Sequence, residues 1–294
     1  MNNKGKGLVA VVIVLAVICV LFLAGGWMLM SAMNGFDWWR NIPERIGEAE
    51  EYNISETQEA YVSDADRFEV SSVSSDITVV FADTDKVTVK LEGTYRSSRG
   101  TVELKKRVSG DTVHIYVEYP KFSGLFTWNR TSLTVTVPRD MEDTAMMMNS
   151  VSGNVTIPSG WELKSLQVNT TSGNVNTEYM TCDEFRYITV SGNLVLFGDI
   201  KNRIDAETVS GKVDLTLKSS TGDVNVNSVS GNVVARLEKD AAFRFSFSTV
   251  SGNFKSAFAV FTQGGNNSRS GYTSDVADMH IDVNTVSGDL DIKY

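Results

Sequence analysis

Four carboxylates lie close together in the second half of the chain: Asp205, Glu207, Asp214 and Asp223. Oxygen ligands of this kind can hold Ca²⁺, and a pair of them can share acid and base work on a glycosidic bond. Either chemistry requires side chains from separate strands to converge on one face or cleft. Because the chain is acidic throughout, a solvated acidic patch is the plainer expectation. Serine recurs before glycine at Ser152, Ser172, Ser191, Ser210, Ser230, Ser251 and Ser287. A nucleophilic serine needs a base beside it, and the only histidines are His114 and His280, so seven equivalent serines read as structure. The two cysteines are Cys19, inside an apolar run, and Cys182. That leaves no intramolecular disulfide in the polar part and no zinc site built from one Cys and two distant His. No glycine-rich loop follows a strand and opens a helix, so no phosphate cradle is expected. The residues point to no catalytic group, no cofactor and no metal, and to a protein that is not an enzyme.

The residue that does recur with a fixed period is glycine. It stands at Gly153, Gly173, Gly192, Gly211, Gly231, Gly252 and Gly288, with spacings of 20, 19, 19, 20, 21 and 36. A polar residue follows each one: Asn154, Asn174, Asn193, Lys212, Asn232, Asn253 and Asp289. Seven positions before the glycine stand Met146, Leu166, Phe185, Ile204, Val224, Phe245 and Ile281, and two after it stand Val155, Val175, Leu194, Val213, Val233, Phe254 and Leu290. Three before it the residue is always Ser or Thr. Apolar residues therefore alternate with period two on both sides of a corner, the pattern of two short strands sharing one core. Glycine reaches positive φ without penalty and Asn tolerates it, so the Ser-Gly-Asn corner reads as a tight turn.

Near-identical segments bury their apolar faces best by stacking in register. The expected fold is therefore all-β: a single-stranded parallel β-solenoid of about 20 residues per rung, in which equivalent residues form columns. An antiparallel sandwich of hairpins is the rival, but two-residue hairpin loops favour Asn-Gly, whereas the order here is Gly-Asn once per period. The 36-residue gap holds a polar stretch, Thr262–Gly271, which reads as a protruding loop within 257–277. Residues 62–140 are also strand-rich and read as an N-terminal cap, with Val73-Ser74-Ser75-Asp76 and Val108-Ser109-Gly110-Asp111 as imperfect corner copies. The chain stops at Tyr294 inside its last strand, which suggests that the C-terminal rung pairs with a partner or a second copy.

Ahead of the body, Leu8 to Met30 carries no charge over 23 residues, enough for a helix to cross a bilayer. Lys4 and Lys6 precede it, which sets the N-terminus in the cytoplasm and the body outside. Cleavage at Ala24-Gly25-Gly26 is the alternative, but the apolar run is longer than a signal peptide's core. The expected organisation is a cytoplasmic tip and membrane helix at 1–31, an acidic linker at 32–61, the cap at 62–140 and the repeats at 141–294. The net charge of -9 argues against a nucleic-acid partner.

The Val-Ser-Gly-Asn/Asp-Val corners recurring after one N-terminal helix resemble the bacterial "putative adhesin" or toast-rack family, over roughly residues 62–294. The resemblance implies a β-solenoid outside the cytoplasmic membrane, in a family whose members often accompany envelope-stress signalling; it brings no catalytic residues. Three functions follow as expectations. The first is a scaffold or sensor that binds an envelope protein or cell-wall component. The second is an adhesin or carbohydrate-binding module using Trp128, Trp161, Phe197 or Tyr272. The third is a glycan-cleaving enzyme, if Asp205, Glu207 and Asp214 converge.

Overall fold

The computed structural model describes residues 49–294 apart from 99, 121–127, 220–221, 266 and 275. The membrane segment expected at Leu8–Met30 and most of the expected linker lie outside these residues. Among the described residues no helix is long and apolar enough to cross a membrane.

Among the described residues twenty-two strands form one continuous sheet. The first seven are β1 (Glu50–Tyr61), β2 (Arg67–Ser72), β3 (Asp76–Phe81), β4 (Lys86–Ser97), β5 (Glu103–Ser109), β6 (Thr112–Glu118) and β7 (Trp128–Val137). The repeats supply β8 (Asp140–Ser150), β9 (Val155–Ile157), β10 (Trp161–Thr170), β11 (Val175–Thr177), β12 (Met180–Thr189), β13 (Leu194–Thr208), β14 (Val213–Leu217), β15 (Asp223–Ser228) and β16 (Val233–Arg236). The chain ends with β17 (Phe243–Ser248), β18 (Phe254–Ser256), β19 (Phe261–Gly265), β20 (Ser268–Tyr272), β21 (Met279–Thr285) and β22 (Leu290–Lys293).

The repeats stack with their motifs in register. Leu166 pairs with Met146 on one side and Phe185 on the other, Phe185 with Ile204, and Ile204 with Val224, always in parallel. These side chains are at most 1% exposed, as the period-two pattern requires. After the corner, β9, β11, β13, β14 and β16 run in parallel as a second face, with Val155, Val175, Leu194, Val213 and Val233 in one file. A short third side pairs Trp161 with Met180 and Met180 with Gly198. The body is thus an all-β, nearly closed wrapping of one sheet around an apolar core, of β-solenoid type.

The stack begins earlier than residue 141. Phe68 and Val70 of β2 sit opposite Met146 and Met148, and Ile77 of β3 sits opposite Val155, so Ser75 fills the corner place below Gly153. Val73-Ser74-Ser75-Asp76 is therefore a working corner. Val108-Ser109-Gly110-Asp111 is not: Ser109 pairs with Thr112 across an antiparallel hairpin whose two-residue loop starts at Gly110, φ 56°. Glycine at that first loop position is a hairpin signature. The acidic stretch at 32–61 ends as structure, since β1 runs antiparallel to β4 along its full length. Alternating burial explains it, with Ile54 and Ala60 turned to the core. On the second face β1, β4 and β7 close the lower end by antiparallel pairing, with β7 in parallel on β3. On the first face β5 and β6 do the same below β2.

The upper end departs from chain order. β21 lies between β15 and β17, and β22 between β16 and β18, all in parallel. The C-terminal rung is therefore the last but one, and both of its edges are occupied. The premise that it offers an open edge to a second copy is corrected by this pairing. The terminal rung is β17–β18, closed on the first face by the hairpin β19–β20, whose second strand runs antiparallel to β17. The polar insertion is thus a capping hairpin and not a free loop. Its polar composition suits strands with solvent on one side, and Gly271 lets β20 approach the Phe245 ring, 2.8 Å from where a Cβ would stand. Large rings plug this end: Phe245 stacks on Phe254 at 4.5 Å and Phe243 meets Phe258 edge-on at 5.2 Å.

Candidate functional site: corner ladder, outer faces and far end

The corner glycines are conformationally ordinary. None of the seven has positive φ, and among the described residues no non-glycine residue has it either, so the left-handed turn expected from Gly-Asn is absent. Their requirement comes from stacking. A Cβ at Gly173 would lie 2.0 Å from the carbonyl oxygen of Gly153, one at Gly192 2.0 Å from that of Gly173, and one at Gly211 1.8 Å from that of Gly192. The file continues through Gly231, Gly288 and Gly252. Each glycine carbonyl fills the space a side chain of the next rung would need.

Three ladders surround this file. Inside, the Ser/Thr column accepts from the corner: Gly173 N–H donates to Thr170 Oγ1 at 2.8 Å, Gly192 to Thr189 at 2.9 Å, Gly211 to Thr208 at 2.8 Å and Gly288 to Thr285 at 2.9 Å. The buried hydroxyls therefore serve their own rung first. Ser150 Oγ is the exception, buried without a partner. At the rim, the Ser172 amide donates to the Val151 carbonyl and the Ser210 amide to that of Val190. Outside, the Asn193 amide and carboxamide both donate to Asn174 Oδ1, and Asn174 repeats this on Asn154. Asp76 starts this outer ladder and Asp289 carries it between Asn232 and Asn253. The recurrent Ser-Gly-Asn thus spends its polar groups on the stack.

The four carboxylates do not converge. Asp205 and Glu207 project from the first face, each matched by an arginine: Arg203 at 2.6 Å and Arg186 at 3.3 Å. Asp214 belongs to the second face, held by Lys212 at 2.8 Å and by both guanidinium nitrogens of Arg236. Burial by itself would raise its pKa, but the bonds from Arg236 and Lys212 outweigh it and hold the carboxyl below its usual range. Asp223 starts β15, opposite Arg203. Among the described residues no group of three or more His, Cys, Asp or Glu has the geometry to hold a metal ion.

The histidines and the thiol are equally engaged. His114 Nε2 lies 2.9 Å from Ser71 Oγ and 3.7 Å from Glu69. Burial depresses its pKa, Glu69 opposes this, and Arg107 adds to it. Cys182 is buried and its thiol is pushed up to about 12, chiefly by desolvation. A thiol held protonated is a poor nucleophile.

The aromatic candidates are dispersed. Trp161 is fully buried against Phe81. Trp128 is half exposed near the lower end, under the Arg130 guanidinium at 3.7 Å. Phe197 packs between Tyr179 and Lys218. Tyr272, on the capping hairpin, stacks with Phe261 at 5.4 Å, and Phe261 is 69% exposed. Phe261 was not singled out by the sequence, although one aromatic entering a polar insertion is a readable signal. On the third side a shallow depression of about 190 Å³ is lined by Glu142, Asp143, Glu162, Leu163, Thr181, Asp183 and Lys201. These residues are dispersed in sequence and become neighbours only through the 20-residue offset.

A stack whose polar motifs knit its own backbone, and whose outer faces pair their charges locally, defines a repeat-built β-solenoid body. Its sequence matches the family described as Toastrack DUF4097 twice, over residues 65–198 and 188–293. The chain belongs to that toast-rack family of unknown function. No curated protein matches it in sequence. Among solved structures it is similar to a "putative cell adhesion protein" from Clostridium sporogenes, at 15% identity and TM-score 0.39, covering 82% of this chain and 99% of that one. A "putative adhesin" from Bacteroides fragilis aligns at 11% identity and TM-score 0.37, over 81% and 97%. Another from Parabacteroides distasonis aligns at 14% and 0.39, over 84% and 98%.

Proposed function

We propose that this chain is a non-enzymatic binding scaffold, tethered by a retained helix at Leu8–Met30, whose body stands outside the cytoplasm and binds an envelope protein or cell-wall component. Its rungs are read as a single-stranded parallel β-solenoid, which the parallel pairing of successive repeats supports. The observation that carries the reading is the polarity of the stack. β1, the strand nearest the tether in sequence, closes one end, and the second face runs from it through ten further strands to β18 at the other. Ten steps of about 4.8 Å separate the two ends by roughly 48 Å. A rigid spacer with a tether at its base and exposed Phe261 at its tip suits presentation to a partner. A role beside envelope-stress signalling fits such a spacer.

A second reading is a surface adhesin or carbohydrate-binding module, favoured by the stacked Phe261–Tyr272 pair. One experiment addresses both. A phosphatase that folds only outside the cytoplasm, fused after Tyr294, is expected to be active, with the chain at full length in the membrane fraction. The purified full chain is then expected to co-sediment with isolated cell-wall fragments or to cross-link to an envelope protein. An inactive phosphatase overturns the location, and absence of both interactions overturns the binding role. Loss of cell-wall binding on Phe261→Ala alone selects the carbohydrate reading.

A further inference from the structure

The two faces of the upper end finish differently. On the first face β20 lies antiparallel on β17 and gives that strand a second neighbour beside β21. On the second face β18 pairs in parallel with β22 and, among the described residues, with no other strand. One place in the capping layer is therefore filled and the place beside it is open. Alternation says which backbone groups face the opening. The Leu290 N–H donates to the Asn253 carbonyl at 2.9 Å, and the Ala257 N–H to the Ile292 carbonyl at 2.8 Å. Asn253, Lys255 and Ala257 thus turn their backbone groups to β22, and Phe254 and Ser256 turn theirs to the open side. Such a row of N–H and C=O groups is a template for one more strand.

The charges around the opening select what enters. Arg269 stands opposite Phe247 on β20, and its guanidinium reaches across the end of the core to the Phe254 ring, 5.7 Å from the centroid. It lies over the residue that an added strand would cover. Phe254 itself is half-buried and stacked on Phe245 at 4.5 Å, so the floor of the opening is aromatic. Lys255 is exposed, and the carboxylate opposite it, Asp291, is held by Lys293 at 2.8 Å. Among the described residues neither Arg269 nor Lys255 is in an ion pair. Charges at an edge keep ordinary apolar strands off, because pairing would bury an unanswered cation. The same two cations favour a strand that brings a carboxylate.

We propose that the open edge of β18 is a docking site for an extended acidic peptide segment of a partner protein, which adds as one further strand and sets a carboxylate over Phe254 within reach of Arg269. Backbone bonds to Phe254 and Ser256 supply the hold, and the carboxylate supplies the selectivity. This goes beyond the scaffold reading, since it requires neither the tether nor a place outside the cytoplasm.

The probe is a synthetic peptide, Thr-Val-Thr-Glu-Thr-Val-Thr, blocked at both ends, labelled with a fluorophore and titrated with the purified full chain. Saturable binding with a Kd below about 1 mM is expected, and lysine in place of the glutamate should weaken it about tenfold or more. N-methylation of alternate peptide amides separates strand addition from loose contact. One set of methyls should abolish binding, and the other should leave it within about twofold, because only one edge of the added strand faces β18. Arg269→Gln should erase the preference for glutamate over lysine. Ser256→Pro removes an N–H turned to the open side and should weaken both peptides, with an unchanged urea midpoint showing the stack intact. Should Ser256→Pro fail to fold, the methylated peptides read the same backbone contact. No saturable binding of either peptide, equal binding of the two, or an equal effect of the two methyl sets overturns the proposal. Cell-wall binding and envelope cross-linking of the unaltered chain would survive each of these outcomes, so the scaffold role and this site fail separately.

Discussion

Replacing Gly211 by alanine is the most direct trial of why the corner is glycine. The new Cβ would stand 1.8 Å from the Gly192 carbonyl oxygen and 2.9 Å from Thr208 Oγ1. An ordinary carbon–oxygen contact needs about 3.3 Å, so the corners must part by roughly 1.5 Å. Three bonds cross this gap, each donated by a backbone N–H: Ser210 to Val190 at 3.0 Å, Lys212 to Asn193 Oδ1 at 2.9 Å, and Leu194 to Lys212 at 2.9 Å. Stretched by that amount they are no longer hydrogen bonds, and at about 0.5–1.5 kcal/mol each their loss costs roughly 1.5–4.5 kcal/mol. The alanine recovers about 0.4–1 kcal/mol by restricting the unfolded chain. The expected net loss is about 1–4 kcal/mol, read by urea unfolding of the full chain and as a Tm lower by roughly 3–15 °C. Gly265→Ala is the control, because nothing lies within 4 Å of its Cβ position and its φ is not positive; it should change stability by less than about 0.5 kcal/mol. Gly211→Asn separates the two explanations. A turn needing positive φ tolerates Asn, whereas a stack needing no side chain does not. Wild-type stability in Gly211→Ala, or rescue by Gly211→Asn, would refute the close-approach account.

Thr208→Val keeps the shape but leaves the buried Gly211 N–H without its acceptor, and should cost about 1–3 kcal/mol in chemical denaturation. Ser150→Ala removes a hydroxyl that already lacks a partner, and should cost less than about 0.5 kcal/mol in the same assay. Asp214→Asn should destabilise most at neutral pH. The folded carboxyl titrates below its ordinary value, so its stabilisation is present above about pH 4 and fades as pH falls through the folded value. Urea midpoints of the two proteins should therefore converge in strong acid, and a constant gap would contradict the assignment. Cys182, buried with its thiol pushed up to about 12, should resist iodoacetamide at pH 8 in the folded chain and react on denaturation, as peptide mapping would show.

Much of the body was legible because a stacked repeat writes its contacts into the sequence as a period. The position seven before each glycine is a buried column, and the strand-rich stretch read at 62–140 carries β2 to β7. What failed did so where two structures share one local pattern. Val-Ser-Gly-Asp at 108–111 and Val-Ser-Ser-Asp at 73–76 look alike, but the first turns a hairpin and the second turns a rung, because β5 and β6 pair antiparallel with each other whereas β2 and β3 each have parallel neighbours on both sides. The acidic stretch ending at Tyr61 looked like a spacer because its Glu residues mask the alternation that buries Ile54 and Ala60.

By itself the sequence determined the period, the identity of the core columns and the all-β class. These depend on local spacing, and spacing survives without coordinates. Tertiary structure alone decided the order of the rungs, because identical corner motifs can stack in any sequence and only the capping hairpin and the overstepping β16–β17 connection select one. It also decided why glycine is required: the Gly192 carbonyl that excludes a Cβ at Gly211 lies 19 residues away in the chain. Asp214 stands apart from Asp205 and Glu207 for a related reason. A corner sends residues on its two sides to different faces, so Glu207 and Asp214 point away from a shared core.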